Sequence, residues 1–270
     1  MQGLTDFVST ETKINYINQL LKVGFDTIDF GSFVSPKAIP QMRDTAEVLD
    51  GLDLNTKSKL LAIVANVRGA NDACQFDEIR YLGYPLSLSE TFQQRNTNRS
   101  IESAFDDLAE MQELSQANEK TLVVYLSMGF GNPYGDPYEV DYVGEFVSRL
   151  DELEVEIISL ADTIGVSEPK VIQALFTTLI PKFPHIEFGS HLHSTPNTIS
   201  EKVKAAYESG CRRMDGAIKG FGGCPMAKDD LTGNMATEKM LGYFETKGVE
   251  TGLDLKEFEV ALEMAPSVFG

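Results

Sequence analysis

Short runs rich in Val, Ile, Leu and Phe recur along the chain. They are DTIDFGSFV (26–34), KLLAIVANV (59–67), YPLSLSET (84–91), KTLVVYLSM (120–128), VEIISLADT (155–163), HIEFGSHLHS (185–194) and RRMDGAIKGF (212–221). Their near-continuous apolar character predicts strands covered on both faces, as in a parallel sheet. Between them, apolar residues return every three or four positions, the helical period. In STETKINYINQLLKVG (9–24), Ile14, Ile17, Leu20 and Leu21 share one face. Ser9 is a candidate N-cap with Glu11 soon after it, and Gly24 marks the stop. SIESAFDDLAEMQELSQAN (100–118) and SEPKVIQALFTTLI (167–180) have the same period.

Strands alternating with helices admit two architectures, a doubly wound open sheet and a closed (β/α)8 barrel. No GxGxxG follows a strand to favour the dinucleotide-binding form. Polar residues instead gather at the C-terminal ends of the runs: Ser32, Asn66, Ser89 and Glu90, Ser127, Asp162, then His191 and His193. A barrel builds its active site at that rim, so the expectation is an α/β (β/α)8 TIM barrel, one catalytic domain over residues 1–270. The count gives seven strands, with none before the first helix. A barrel of this kind needs an eighth, and the expectation is that the first strand is missing from this chain.

Charge narrows the partners. Across 270 residues there are 41 acidic and 23 basic side chains, a net charge of −18. Nucleic-acid affinity rests on Lys and Arg neutralising phosphates, so that class of partner is excluded. No apolar run reaches the length of a membrane span, and the first residues lack the basic lead and apolar core of a secretory signal. Cys74, Cys211 and Cys224 lie far apart and form no CxxC pair. Their arrangement suits a reducing, cytoplasmic compartment.

Two of the three histidines in the chain, His191 and His193, sit one residue apart. Residues i and i+2 of a strand project from the same face, so the two imidazoles point together. Two polar residues closing a strand would give the same spacing. The scarcity of histidine elsewhere and the carboxylates and amides at other strand ends favour a metal pair. Without a thiolate pair or a third histidine the set does not suit structural zinc. An open site holding Mg²⁺ or Mn²⁺, completed by water and substrate oxygens, fits better. Downstream, GFGGCPMAKDDLTGNMATEKM (220–240) puts three glycines in the four residues before Cys224. Such a backbone approaches a ligand closely, and its thiol is a candidate reactive group, although a lone cysteine is often only a small buried apolar residue.

Four segments resemble the 3-hydroxy-3-methylglutaryl-CoA lyases, within the wider group of metal-dependent barrel lyases and Claisen-type synthases. They are GSFVSPKAIPQM (31–42), SLADTIGVSEP (159–169), HLHS (191–194) and the GGCPMA and GNMATE portions of 222–238. The resemblance extends over nearly the whole chain, and the cysteine loop separates the lyases from the synthases. It implies that His191, His193 and Asn234 bind the divalent metal and that Cys224 is an acid/base thiol. It also implies that Asp162, Asp29 and Glu238 are acidic residues around the site, Asp29 standing where the family has glutamate. The family's HxHD is HxHS here, with Ser194 after the second histidine. Its first strand ends in an Arg-Asp pair just before the residues that MQGL resembles, and that pair has no counterpart here. The expectation is therefore a chain of reduced activity.

The activity implied is metal-assisted retro-Claisen cleavage of 3-hydroxy-3-methylglutaryl-CoA to acetyl-CoA and acetoacetate. The substrate is thus an acyl-CoA thioester, and a homodimer is the expected assembly. One alternative is a condensing enzyme of the same barrel group. Another is a catalytically impaired barrel that serves as a binding module.

Overall fold

In the computed structural model the described residues are 1, 4, 6–222 and 233–270. The first half runs α1 (Thr10–Val23), β1 (Thr27–Ser32), α2 (Thr45–Asp50), β2 (Lys59–Ile63), α3 (Val67–Ala73), β3 (Ile79–Ser87), α4 (Glu90–Thr97) and α5 (Ile101–Ala117). The second half runs β4 (Thr121–Ser127), α6 (Val140–Glu152), β5 (Ile157–Ala161), α7 (Pro169–Lys182), β6 (Glu187–His191), α8 (Ile199–Glu208) and β7 (Arg213–Met214). Helices α9 (Thr237–Thr246) and α10 (Leu255–Phe269) follow.

Every strand pairs in parallel with the next, in the order β1 to β7, to give a curled, TIM-barrel-like α/β fold. Seven strands are present among the described residues, and among them no ladder joins β7 to β1. The third run begins earlier than its apolar character suggested, at Ile79, because Arg80 interrupts the pattern at the strand's open end. Lys120 caps that end, its ammonium donating to the carbonyls of Phe76 and Ile79 at 2.7 and 2.8 Å.

Local signals set the helix boundaries. Ser9 accepts from the Thr12 N–H at the start of α1, and Gly24 ends the helix in the left-handed region at φ 78°. Asn66, Ser89 and Ser100 cap α3, α4 and α5 in the same way. Two of the polar residues at strand ends, Asn66 and Ser89, are thereby spent on starting helices.

Alternation along the strands divides the apolar residues into two sets. Leu60, Ala62, Leu82, Tyr84, Leu122, Val124, Ile158 and Leu160 pack outward against the helices in the main core. Leu61, Tyr81, Val123 and Ile157 pack with one another on the inner face, joined by Ile63 and Tyr125. The inner set fills the barrel beneath the rim. Arg213 lies in the same interior, its guanidinium 5.4 Å from the Tyr81 ring centroid and 3.5 Å from Glu187.

Candidate active site

Strand β6 aims the two histidines. Its inner face carries Glu187, Gly189 and His191, and His193 continues the alternation just past the strand end. Gly189 is needed because a Cβ there would lie 2.9 Å from Ser159 Oγ and 3.2 Å from Arg213 Cδ. The imidazole centroids of His191 and His193 are 5.7 Å apart, and Tyr125 meets His191 edge-on at 5.4 Å.

Their surroundings give the two rings different chemistry. His191 Nδ1 is 3.0 Å from Asp215 Oδ2, and Nε2 has no hydrogen-bond partner among the described residues. Burial pulls its pKa down, but the bond to Asp215, that carboxylate's charge, and the charges of Asp29 and Asp162 outweigh it, and the pKa is raised. His193 is buried, and its pKa is pushed down to about 4, first by desolvation and then by the His191 charge. At neutral pH it is an uncharged imidazole with a lone pair to give.

Asn234 reaches the pair from the far side of the chain. Its backbone forms an antiparallel bridge with His193, flanked by Ser194 N–H donating to the Gly233 carbonyl at 3.0 Å. Its Nδ2 donates to the Phe221 carbonyl at 3.0 Å, and its Oδ1 has no hydrogen-bond partner among the described residues. Gly220 makes this crossing possible. It sits at φ 67°, and a Cβ there would be 2.8 Å from the Asn234 carbonyl oxygen.

Asp162 ends β5 beside the pair and is buried. Its N–H donates to the His191 carbonyl at 2.9 Å, while its Oδ2 accepts from Ser167 N, Ser167 Oγ and Lys202 Nζ. Its Oδ1 is buried and has no hydrogen-bond partner, as is Ser194 Oγ. Asp29, paired in register with inward-facing Leu61, stands inside the curl of the sheet. The residue is exposed although protein closely surrounds its carboxylate. Desolvation by that protein pushes its pKa up to about 7, against the opposing charges of the Met1 amino group and His191.

Glu238 follows Asn234 by four positions. It lies in the first turn of α9, where its Oε2 accepts from the Lys219 N–H at 3.0 Å. That bond ties the start of α9 to the backbone next to Gly220. Cys224 lies outside the described residues.

The set fits a divalent cation by its donor chemistry. Among the described residues two nitrogens and one amide oxygen have no hydrogen-bond partner, and the His191–Asp215 bond is the carboxylate–imidazole contact that orients a metal-binding ring. Among the described residues no three His, Cys, Asp or Glu converge as a metal-binding group. The remaining positions would fall to oxygens of water and substrate, as an open site requires. Asp215, Lys202 and Tyr125 were not singled out from the sequence. Asp215 did carry a signal, standing two residues after inward-facing Arg213 and so on the same face.

Comparison with known proteins shows the family and the fold. The family model described as HMGL-like matches residues 1–264. Hydroxymethylglutaryl-CoA lyase YngG of Bacillus subtilis is 32% identical over 265 residues, covering 95% of this chain and 85% of that protein. The mitochondrial hydroxymethylglutaryl-CoA lyase of Mus musculus is 31% identical over 259 residues, covering 95% of this chain and 78% of that one. An HMG-CoA lyase from Acinetobacter baumannii, solved with coenzyme A and 3-methylmalate, superposes with a TM-score of 0.91 at 31% identity. That match covers 100% of this chain and 88% of the other.

Proposed function

Because this chain belongs to the HMGL-like family, we propose that it is a carbon–carbon lyase cleaving 3-hydroxy-3-methylglutaryl-CoA to acetyl-CoA and acetoacetate. The observation that carries this reading is the imidazole pair at the barrel rim, one ring oriented by Asp215 and the other held neutral. The similar lyase bound to coenzyme A supports an acyl-CoA thioester as substrate.

His191, His193 and Asn234 would hold a divalent cation, Mg²⁺ or Mn²⁺, which when bound supplies Lewis acidity toward the substrate's oxygens. The chain's own groups move the protons. Asp29, with a pKa near neutrality, is suited to take the proton of the tertiary hydroxyl. The C2–C3 bond then breaks, its electron pair passing into the thioester enolate while the hydroxyl carbon becomes the ketone of acetoacetate. The Cys224 thiol protonates the enolate carbon to give acetyl-CoA, and Asp29 returns its proton to the thiolate through solvent. Asp162 is given no proton-transfer step; its Oδ2 is held by Lys202 at 3.0 Å. A homodimer and a cytoplasmic location complete the proposal, the latter resting on the free thiols Cys74 and Cys211.

The test is incubation with 3-hydroxy-3-methylglutaryl-CoA and Mn²⁺ or Mg²⁺, with acetoacetate and acetyl-CoA quantified. A parallel reaction with acetyl-CoA and 2-oxoglutarate reads release of free CoA. Thioester cleavage supports the lyase, whereas CoA release only in the second reaction assigns a condensing enzyme.

A further inference from the structure

Lys202, in the first turns of α8, is 3% exposed and points its ammonium at the strand ends. Nζ donates to Asp162 Oδ2 at 3.0 Å, to the His193 carbonyl at 2.7 Å and to the Gly165 carbonyl at 3.3 Å. An ammonium has three N–H groups, and all three are used, so none is left for a substrate. The acceptors belong to two separate segments. Asp162 and Gly165 follow β5, and His193 follows β6.

A buried ion pair is poor evidence of added stability, since an apolar pair of similar volume often serves as well or better. What this pair does provide is geometry. It joins the end of β5 to the main chain of the second histidine, next to the carboxylate that lies beside both imidazoles. The side chain of Ser194, the next residue, adds nothing to that fixation, because its Oγ is buried with no partner among the described residues.

We propose that Lys202 is a positioning residue for the histidine pair, clamping the His193 main chain and the Asp162 carboxylate so that both imidazoles face one cation. The metal-binding part rests on the proposed lyase reading; the clamp itself does not.

Two measurements on Lys202→Met test it. Amide hydrogen exchange in the metal-free chain reads the clamp directly. The Asp162 and Ser194 amides are expected to exchange at least about tenfold faster, while the Gly189 amide inside β6 keeps its rate. Calorimetric titration with Mn²⁺ reads the consequence, an expected loss of about 10–100-fold in affinity. Should Lys202→Met fail to fold, Lys202→Met combined with Asp162→Asn removes both charges together and takes its place. A retained tenfold loss of Mn²⁺ affinity in that pair supports the clamp. Full recovery would mean Lys202 only neutralises Asp162, and would overturn it. Unchanged exchange at Asp162 and Ser194, or unchanged Mn²⁺ affinity in a folded variant, overturns it too. If the unsubstituted chain takes up no Mn²⁺, the metal reading falls together with the metal-positioning role, and the exchange rates then test only the clamp.

Discussion

His191 and Asp215 face each other across two neighbouring strands, Nδ1 and Oδ2 3.0 Å apart, although 24 positions separate them in the chain. Strand β7 is two residues long, and its pairing with β6 brings Asp215 N–H to the Ser190 carbonyl at 3.0 Å. That bond extends the β6–β7 register of Gly189 with Arg213 and Ser190 with Met214, which sets one carboxylate beside the ring.

Asp215→Asn keeps the size of the side chain but removes its charge. Mn²⁺ affinity is expected to fall about 10–100-fold, with thermal stability little changed. Calorimetric titration beside a melting curve checks this, and equal affinity would remove Asp215 from the site.

The pH dependence of stability has two opposing contributors. His193 has a folded pKa of about 4, below its unfolded value, so its contribution is present above about 6.5 and lost as pH falls toward 4. At 1.36 kcal/mol per pKa unit that loss approaches roughly 3 kcal/mol. Asp29 has a folded pKa of about 7, above its unfolded value, so its contribution is present below about 4 and lost as pH rises through 7. Relative to the unsubstituted chain, Asp29→Asn should raise the urea midpoint at pH 7 more than at pH 4.5. His193→Gln should do the reverse, both in the presence of a chelator.

Gly220→Ala tests the crossing that presents Asn234. The new Cβ would meet the Asn234 carbonyl at 2.8 Å, on a backbone at φ 67°. The expected cost is roughly 1–3 kcal/mol, with weaker Mn²⁺ binding. Chemical denaturation and metal titration on the same sample check both effects.

Thiol labelling separates Cys224 from its neighbours. Cys74 and Cys211 are buried; burial raises the Cys74 pKa and pushes that of Cys211 up to about 12. In the folded chain one thiol should react quickly with a disulfide reagent at pH 8, and Cys224→Ser should abolish that phase. Fast labelling that survives the substitution would assign the reactive thiol elsewhere.

Much of the fold was legible in the sequence because its signals are local. The caps at Ser9 and Gly24 and the two-residue spacing of His191 and His193 each lie within a few residues. The start of β3 was not, since a charged Arg80 at an open strand end resembles a loop until Lys120 is seen capping it. Asn66 and Ser89 looked like rim chemistry because a helix cap and a catalytic polar group occupy the same place, just after a strand. Lys202 was invisible for a different reason. A lysine at helical spacing reads as solvated surface, and only the strand ends brought together in three dimensions make it a buried clamp.

The interior below the rim is plugged by Leu61, Tyr81, Val123 and Ile157, with Arg213 beside Tyr81. A packed floor thus lies beneath the histidine pair. Neither product of a cleavage at the rim could then leave through the bottom of the sheet.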